Sequence, residues 1–201
     1  MREECVVFTG RPNAGKSSII NEVVGLDVAT GKRPGTTRRV SKYPLSDGLF
    51  LVDMPGFGRM LRTSKHLWDK INDQIISFLE VNAQNIVLAV HVLDISLFLE
   101  ATRRLERKGF ISLDVEMIQF LARTIGEFPF VAANKIDKAR KEEIEANLED
   151  LMYRVSDGHH LDASDYVFPV SARTGEGLAA LKTAIHQRLV AKGYPTPFKI
   201  K

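Results

Sequence analysis

Gly10-Arg11-Pro12-Asn13-Ala14-Gly15-Lys16-Ser17 fits the pattern G-x-x-x-x-G-K-[ST], and no other stretch constrains the fold of the chain as much. The pattern works only between a strand and a helix, because its backbone N–H groups must converge on a polyphosphate at a helix N-terminus. Both flanks are present: residues 5–9 are an apolar run and residues 17–24 carry helical spacing. The loop Gly10, Arg11, Pro12, Asn13, Ala14, Gly15 is expected to wrap the phosphates. Lys16 then bridges the β- and γ-phosphates, the Ser17 hydroxyl ligates Mg2+, and Ser18 contacts the α-phosphate.

Further short apolar runs at 50–53, 86–94, 130–134 and 167–170 alternate with helical patterns at about 64–81, within 96–126, and at 140–155 and 177–191. Strands alternating with helices predict an α/β fold of three layers, a mostly parallel six-stranded sheet with helices on both faces. Residues 40–45 read as one antiparallel edge strand joined to 50–52 through an Asp47-Gly48 turn. Segment 96–126 is longer than the simplest such fold needs. Its apolar Leu97, Phe98, Leu105, Ile118 and Leu121, set among Arg103, Arg104, Arg107 and Lys108, predict two helices with a connector near 109–114. The basic side is either a solvated face or a contact surface for RNA or protein.

Composition places all of this in one domain spanning 1–201. With 201 residues, 44% of them hydrophobic and 26% charged, the chain has enough material for a single core and too little for two catalytic domains. Its 28 Lys and Arg against 25 Asp and Glu, a net charge of +3, permit an anionic partner such as RNA without requiring one. Cys5, the sole cysteine, has no partner for an intramolecular disulfide, which suits a reducing compartment. The longest apolar run, 86–93, is interrupted by His91 and too short to span a bilayer. Signal-peptide and acylation patterns are missing, so a cytoplasmic protein without membrane contact is expected.

Two more motifs follow strands. Asp53-Met54-Pro55-Gly56 is a D-x-x-G in which Asp53 is expected to hold the Mg2+ hydration shell and the Gly56 N–H to sense the γ-phosphate. In the basic stretch 33–39, Gly35 is expected to border the nucleotide, and Thr36 and Thr37 offer hydroxyls to the metal, Thr37 before Thr36. Asn134-Lys135-Ile136-Asp137 distinguishes guanine from adenine. The Asp137 carboxylate accepts from guanine N1–H and the exocyclic amine, whereas adenine would leave it unpaired. Asn134 bonds N7 or the loop backbone, and the Lys135 stem covers the base. Ser171-Ala172-Arg173, after the last strand, brings the Ala172 N–H towards guanine O6. This base site and the lack of an acceptor pocket or lid argue against a metabolic kinase. His91, Trp68, Cys5 and the His159-His160 pair read as packing or solvated residues, since none has metal-ligand spacing.

The ordered set G-x-P-N-x-G-K-S, P-G-T-T-R, D-x-P-G, N-K-x-D and S-A resembles the Era and EngB group of GTPases, and most of all the EngB family. Met54, Phe57, Arg59 and the long 96–126 segment depart from the bacterial D-L-P-G-Y-G-Y pattern and point to an archaeal-type branch. The resemblance implies a GTP-hydrolysing monomer that assists assembly of the large ribosomal subunit through rRNA contacts. The competing reading is a regulatory G domain in traffic or transport, with no RNA partner. Phe57 stands where signalling GTPases carry a water-orienting glutamine, so another group has to act. Asn13 matches the asparagine that ligates K+ beside the phosphates in several members of the group. The groups expected to act on the transferring phosphate are therefore Lys16, Thr37, Gly56 and Asn13, the last through K+.

Overall fold

Alternate side chains of the first strand decide how the layers form. In β1 (Glu4–Gly10), Val6 and Phe8 face one way and Cys5 and Val7 the other, and all four are buried. Such a strand has to be covered on both sides. The structure, a computed structural model, describes residues 3–26, 40–58, 65–156 and 162–198. Around β1 lie β2 (Ser41–Ser46), β3 (Leu49–Asp53), β4 (Ile86–Asp94), β5 (Phe130–Asn134) and β6 (Val167–Val170). They form one six-stranded sheet in the order β2-β3-β1-β4-β5-β6. All strands are parallel except β2, which runs antiparallel to β3 around Gly48, a turn residue with φ 72°. This is the architecture that the sequence predicts. Both outer strands contain a proline, Pro44 in β2 and Pro169 in β6.

Helices α1 (Lys16–Val24) and α6 (Leu178–Ala191) cover the face of Val6 and Phe8, where Ile19, Ile20, Leu181 and Ile185 join the core. The opposite face takes α2 (Lys65–Val81), α4 (Leu113–Ile125) and α5 (Lys141–Ser156). There Ile75, Leu79 and Leu121 pack with Cys5 and Val7, and Ile118, Leu151 and Val155 with Val131. Segment 96–126 does contain two helices, α3 (Phe98–Glu106) and α4, with the connector at 107–112. The Leu99 N–H donates to Asn147 Oδ1 (2.9 Å), which fixes the start of α3 on α5. Among the described residues no helix is long and apolar enough to cross a membrane.

Parallel strands connected by helices send their C-terminal ends to the same side, so the loops after β1, β3, β5 and β6 meet at one edge of the sheet. Those loops carry the four described motifs.

Candidate nucleotide-binding site

The loop between β1 and α1 is shaped by backbone conformations that few residues accept. Gly15, the N-cap of α1, has φ 98°, and a Cβ there would lie 2.2 Å from Asn134 Nδ2. Asn13 adopts φ 65°, a left-handed conformation that asparagine tolerates better than most residues. A Cβ on Gly56 would come within 2.9 Å of Pro12, so the D-x-x-G turn rests directly on the phosphate loop. Lys16 is buried and its ammonium donates to the buried Asp53 carboxylate. Burial pushes Lys16 below the ordinary lysine range, and Asp53 acts in the opposite direction.

Ser17 and Ser18 are half-buried in the first turn of α1, and Met54 and Pro55 are buried behind Asp53. Ser17 and Asp53 are the described oxygen donors suited to a metal beside the phosphates. Among the described residues no group of three His, Cys, Asp or Glu could hold an ion unaided. That donor set suits Mg2+, which keeps several waters and relies on phosphate oxygens. Gly35, Thr36 and Thr37 lie outside the described residues, as do Arg38, Arg39, Arg59 and the pair His159-His160.

At the ends of β5 and β6, one side chain joins three loops. Asn134 donates through Nδ2 to the Ala14 carbonyl (2.7 Å) and accepts at Oδ1 from the Ala172 N–H (3.0 Å). The bond to the loop backbone is one of the two roles open to Asn134. The Ala172 N–H, which the sequence brings towards guanine O6, donates here to Asn134. Lys135, itself left-handed at φ 72°, donates to the Asn13 carbonyl (2.6 Å) and pairs with Asp94 (2.5 Å). Its ammonium thus anchors the phosphate loop. Asp137 accepts from the Ser171 hydroxyl (2.5 Å) and from Arg173 Nε (2.6 Å). The Ser171 hydroxyl first, and then the Arg173 guanidinium, hold the Asp137 carboxyl below the usual carboxylate range.

Phe57 is buried and tilts against the ring of His91, with centroids 5.6 Å apart. His91 is not merely packed. Its Nε2 faces Asp114 Oδ1 (3.2 Å) and its Nδ1 faces the Thr9 hydroxyl (2.9 Å). The carboxylate beside Nε2 assigns the proton there, so that Nδ1 accepts from Thr9. Asp114 also lies 3.7 Å from Arg11. A polar line therefore runs from β1 through β4 to the start of α4 and back to the phosphate loop. Sequence reasoning passed over it, although Thr9 and His91 are polar residues placed opposite each other in adjacent apolar strands.

The family profile described as "50S ribosome-binding GTPase" matches residues 5–135. The "Probable GTP-binding protein EngB" of Methanopyrus kandleri is 41% identical over 197 residues, covering 94% of this chain and 94% of that protein. The chain belongs to the EngB family of GTP-binding GTPases. A second EngB relative, from Methanosarcina barkeri, is 37% identical and covers 92% of this chain and 87% of its own length. A solved structure of "a probable GTP-binding protein engB" superposes with a TM-score of 0.81 at 34% identity, covering 93% of this chain and 99% of that one. Both relatives are archaeal, in line with the branch that Met54 and Phe57 suggest in this EngB-family chain.

Proposed function

We propose that this EngB-family GTPase is a single G domain over 1–201 that works as a cytoplasmic, monomeric switch in assembly of the large ribosomal subunit. The observation that carries the nucleotide reading is the Asp137 carboxylate. Two donors on the Ser171-Ala172-Arg173 loop orient it as an acceptor, and Asn134 couples that loop to the phosphate loop. An acceptor held ionised in this way matches guanine N1–H and the 2-amine. The phosphates of GTP lie along residues 10–18, with Lys16 exchanging Asp53 for the β- and γ-phosphates. Ser17 and Thr37 ligate Mg2+, and Asp53 holds its water shell. Mg2+ bound there neutralises charge on the β- and γ-oxygens, the main requirement of phosphoryl transfer. Gly56 senses the γ-phosphate through its N–H.

Phe57, buried against His91, has no group with which to orient water. We propose that K+ held by Asn13 supplies the missing positive charge beside the β–γ bridge. Hydrolysis is then slow in Na+ and faster in K+ at equal ionic strength, and Asn13→Ala removes the difference. Equal rates in both salts would overturn the K+ role.

The description of the family profile supports the ribosomal reading. Co-sedimentation with large subunits tests it: binding is expected with a non-hydrolysable GTP analogue and weaker binding with GDP. Absence of binding in every nucleotide state would favour a regulatory G domain without RNA.

A further inference from the structure

α3 and the connector after it carry Arg103, Arg104, Arg107 and Lys108, all exposed. Among the described residues none of the four has an acidic partner within salt-bridge distance, whereas many other cations do, including Arg154, Arg188 and Lys192. Arg154 also takes up Glu106, the last carboxylate of α3, at 2.5 Å. Phe110, two residues after Lys108, is 62% exposed. Helix packing explains none of these side chains, because α3 is seated on α5 by Phe98, Thr102 and the Asn147 bonds.

We infer that α3 and its connector form a binding surface for single-stranded RNA. The guanidiniums of Arg103, Arg104 and Arg107 present planar forks to phosphate oxygens, and Lys108 adds a point charge. Phe110 offers a face on which one splayed base stacks, which a duplex with all bases paired cannot supply. Four exposed cations beside one exposed ring match a chain that alternates phosphates with bases free to stack. The surface adjoins the nucleotide. One side of α3, through Ala101 and Leu105, together with Leu97 just before it, lines a cleft of about 400 Å3 whose other wall is Arg11, Pro12 and Asn13. RNA on this helix therefore lies beside the phosphate loop.

The inference deepens the ribosomal reading by naming the contact, and it rests on that reading for its biological setting alone. The test uses the full chain and a variant with Arg103, Arg104, Arg107 and Lys108 all changed to Gln, plus Phe110→Ala separately. The probes are a labelled unstructured RNA oligonucleotide, the same sequence as a duplex, and large ribosomal subunits. The full chain is expected to prefer the single strand. In the Gln variant the slope of log affinity against log salt should fall by about 3, at about 0.7 per phosphate contact. Phe110→Ala should weaken single-strand binding at least about fivefold and leave duplex binding unchanged. GDP affinity and thermal stability should match the parent in both variants. Parent-like oligonucleotide binding in the Gln variant overturns the inference. Equal preference for duplex overturns it as well, as does subunit binding that survives both variants, and the last result leaves the ribosomal reading intact. Oligonucleotide binding without any subunit binding keeps the inference and removes the ribosomal reading.

Discussion

Gly15→Ala tests whether the site is built around one amide. The new methyl group would sit 2.2 Å from Asn134 Nδ2, on a backbone at φ 98°. Two costs follow. Holding alanine in the left-handed region takes about 1–2 kcal/mol. Moving the Asn134 amide breaks its bonds to the Ala14 carbonyl and the Ala172 N–H. The first is buried and the second partly buried, and each is worth about 1 kcal/mol, or more if a partner is left unsatisfied. The expected loss is about 3–5 kcal/mol, which lowers Tm by roughly 6–20 °C in a chain of this size. Urea unfolding of Gly15→Ala, Asn134→Ala and the double variant closes the cycle. In the Asn134→Ala background the collision is gone, so Gly15→Ala should cost only the backbone part, about 1–2 kcal/mol. An equal cost in both backgrounds would refute the claim that Gly15 acts through Asn134.

Asp137→Asn replaces a charged acceptor with an amide. GTP and GDP affinity should fall about 10- to 100-fold, while a xanthine nucleotide gains through a donor to its C2 carbonyl, as competition binding would register. His91→Phe leaves the Thr9 hydroxyl and an Asp114 oxygen without the ring that joins them. That should cost about 1–3 kcal/mol in urea unfolding, and an unchanged midpoint would mean that the polar line contributes nothing. Burial pushes the Cys5 thiol up from 9.0 to about 11. The native protein should therefore ignore an aromatic disulfide reagent at pH 8 until unfolded. As pH rises from about 9 to about 11, thiolate forms only in the unfolded chain, and stability should fall across that window.

The runs at 86–94 and 130–134 are legible as strands because they are buried on both faces and leave no polar alternation to misread, and 167–170 because it is apolar throughout although Pro169 is exposed at the sheet margin. The phosphate loop and Asn134-Lys135-Ile136-Asp137 are legible because their chemistry demands fixed residues at fixed spacing. What the sequence hides is pairing between loops. Lys135 meets Asp94 and the Asn13 carbonyl, and Ala172 meets Asn134, only because β4, β5 and β6 end side by side. Spacing along the chain carries no trace of such neighbours. His91 misleads for a related reason: its partners Thr9 and Asp114 are 82 and 23 residues away, and a lone histidine among valines looks like filling.

The sheet ends on Pro44 at one margin and Pro169 at the other. A proline has no N–H to give, so neither outer strand offers a continuous row of donors to a strand from another molecule. Lys42, exposed on the same outer strand as Pro44, adds a charge that a flat apolar newcomer would have to bury. Both margins are thereby protected against edge-to-edge growth, the route by which open sheets aggregate when chains are crowded together. Association with a partner is left to the helices and to the loop end of the sheet.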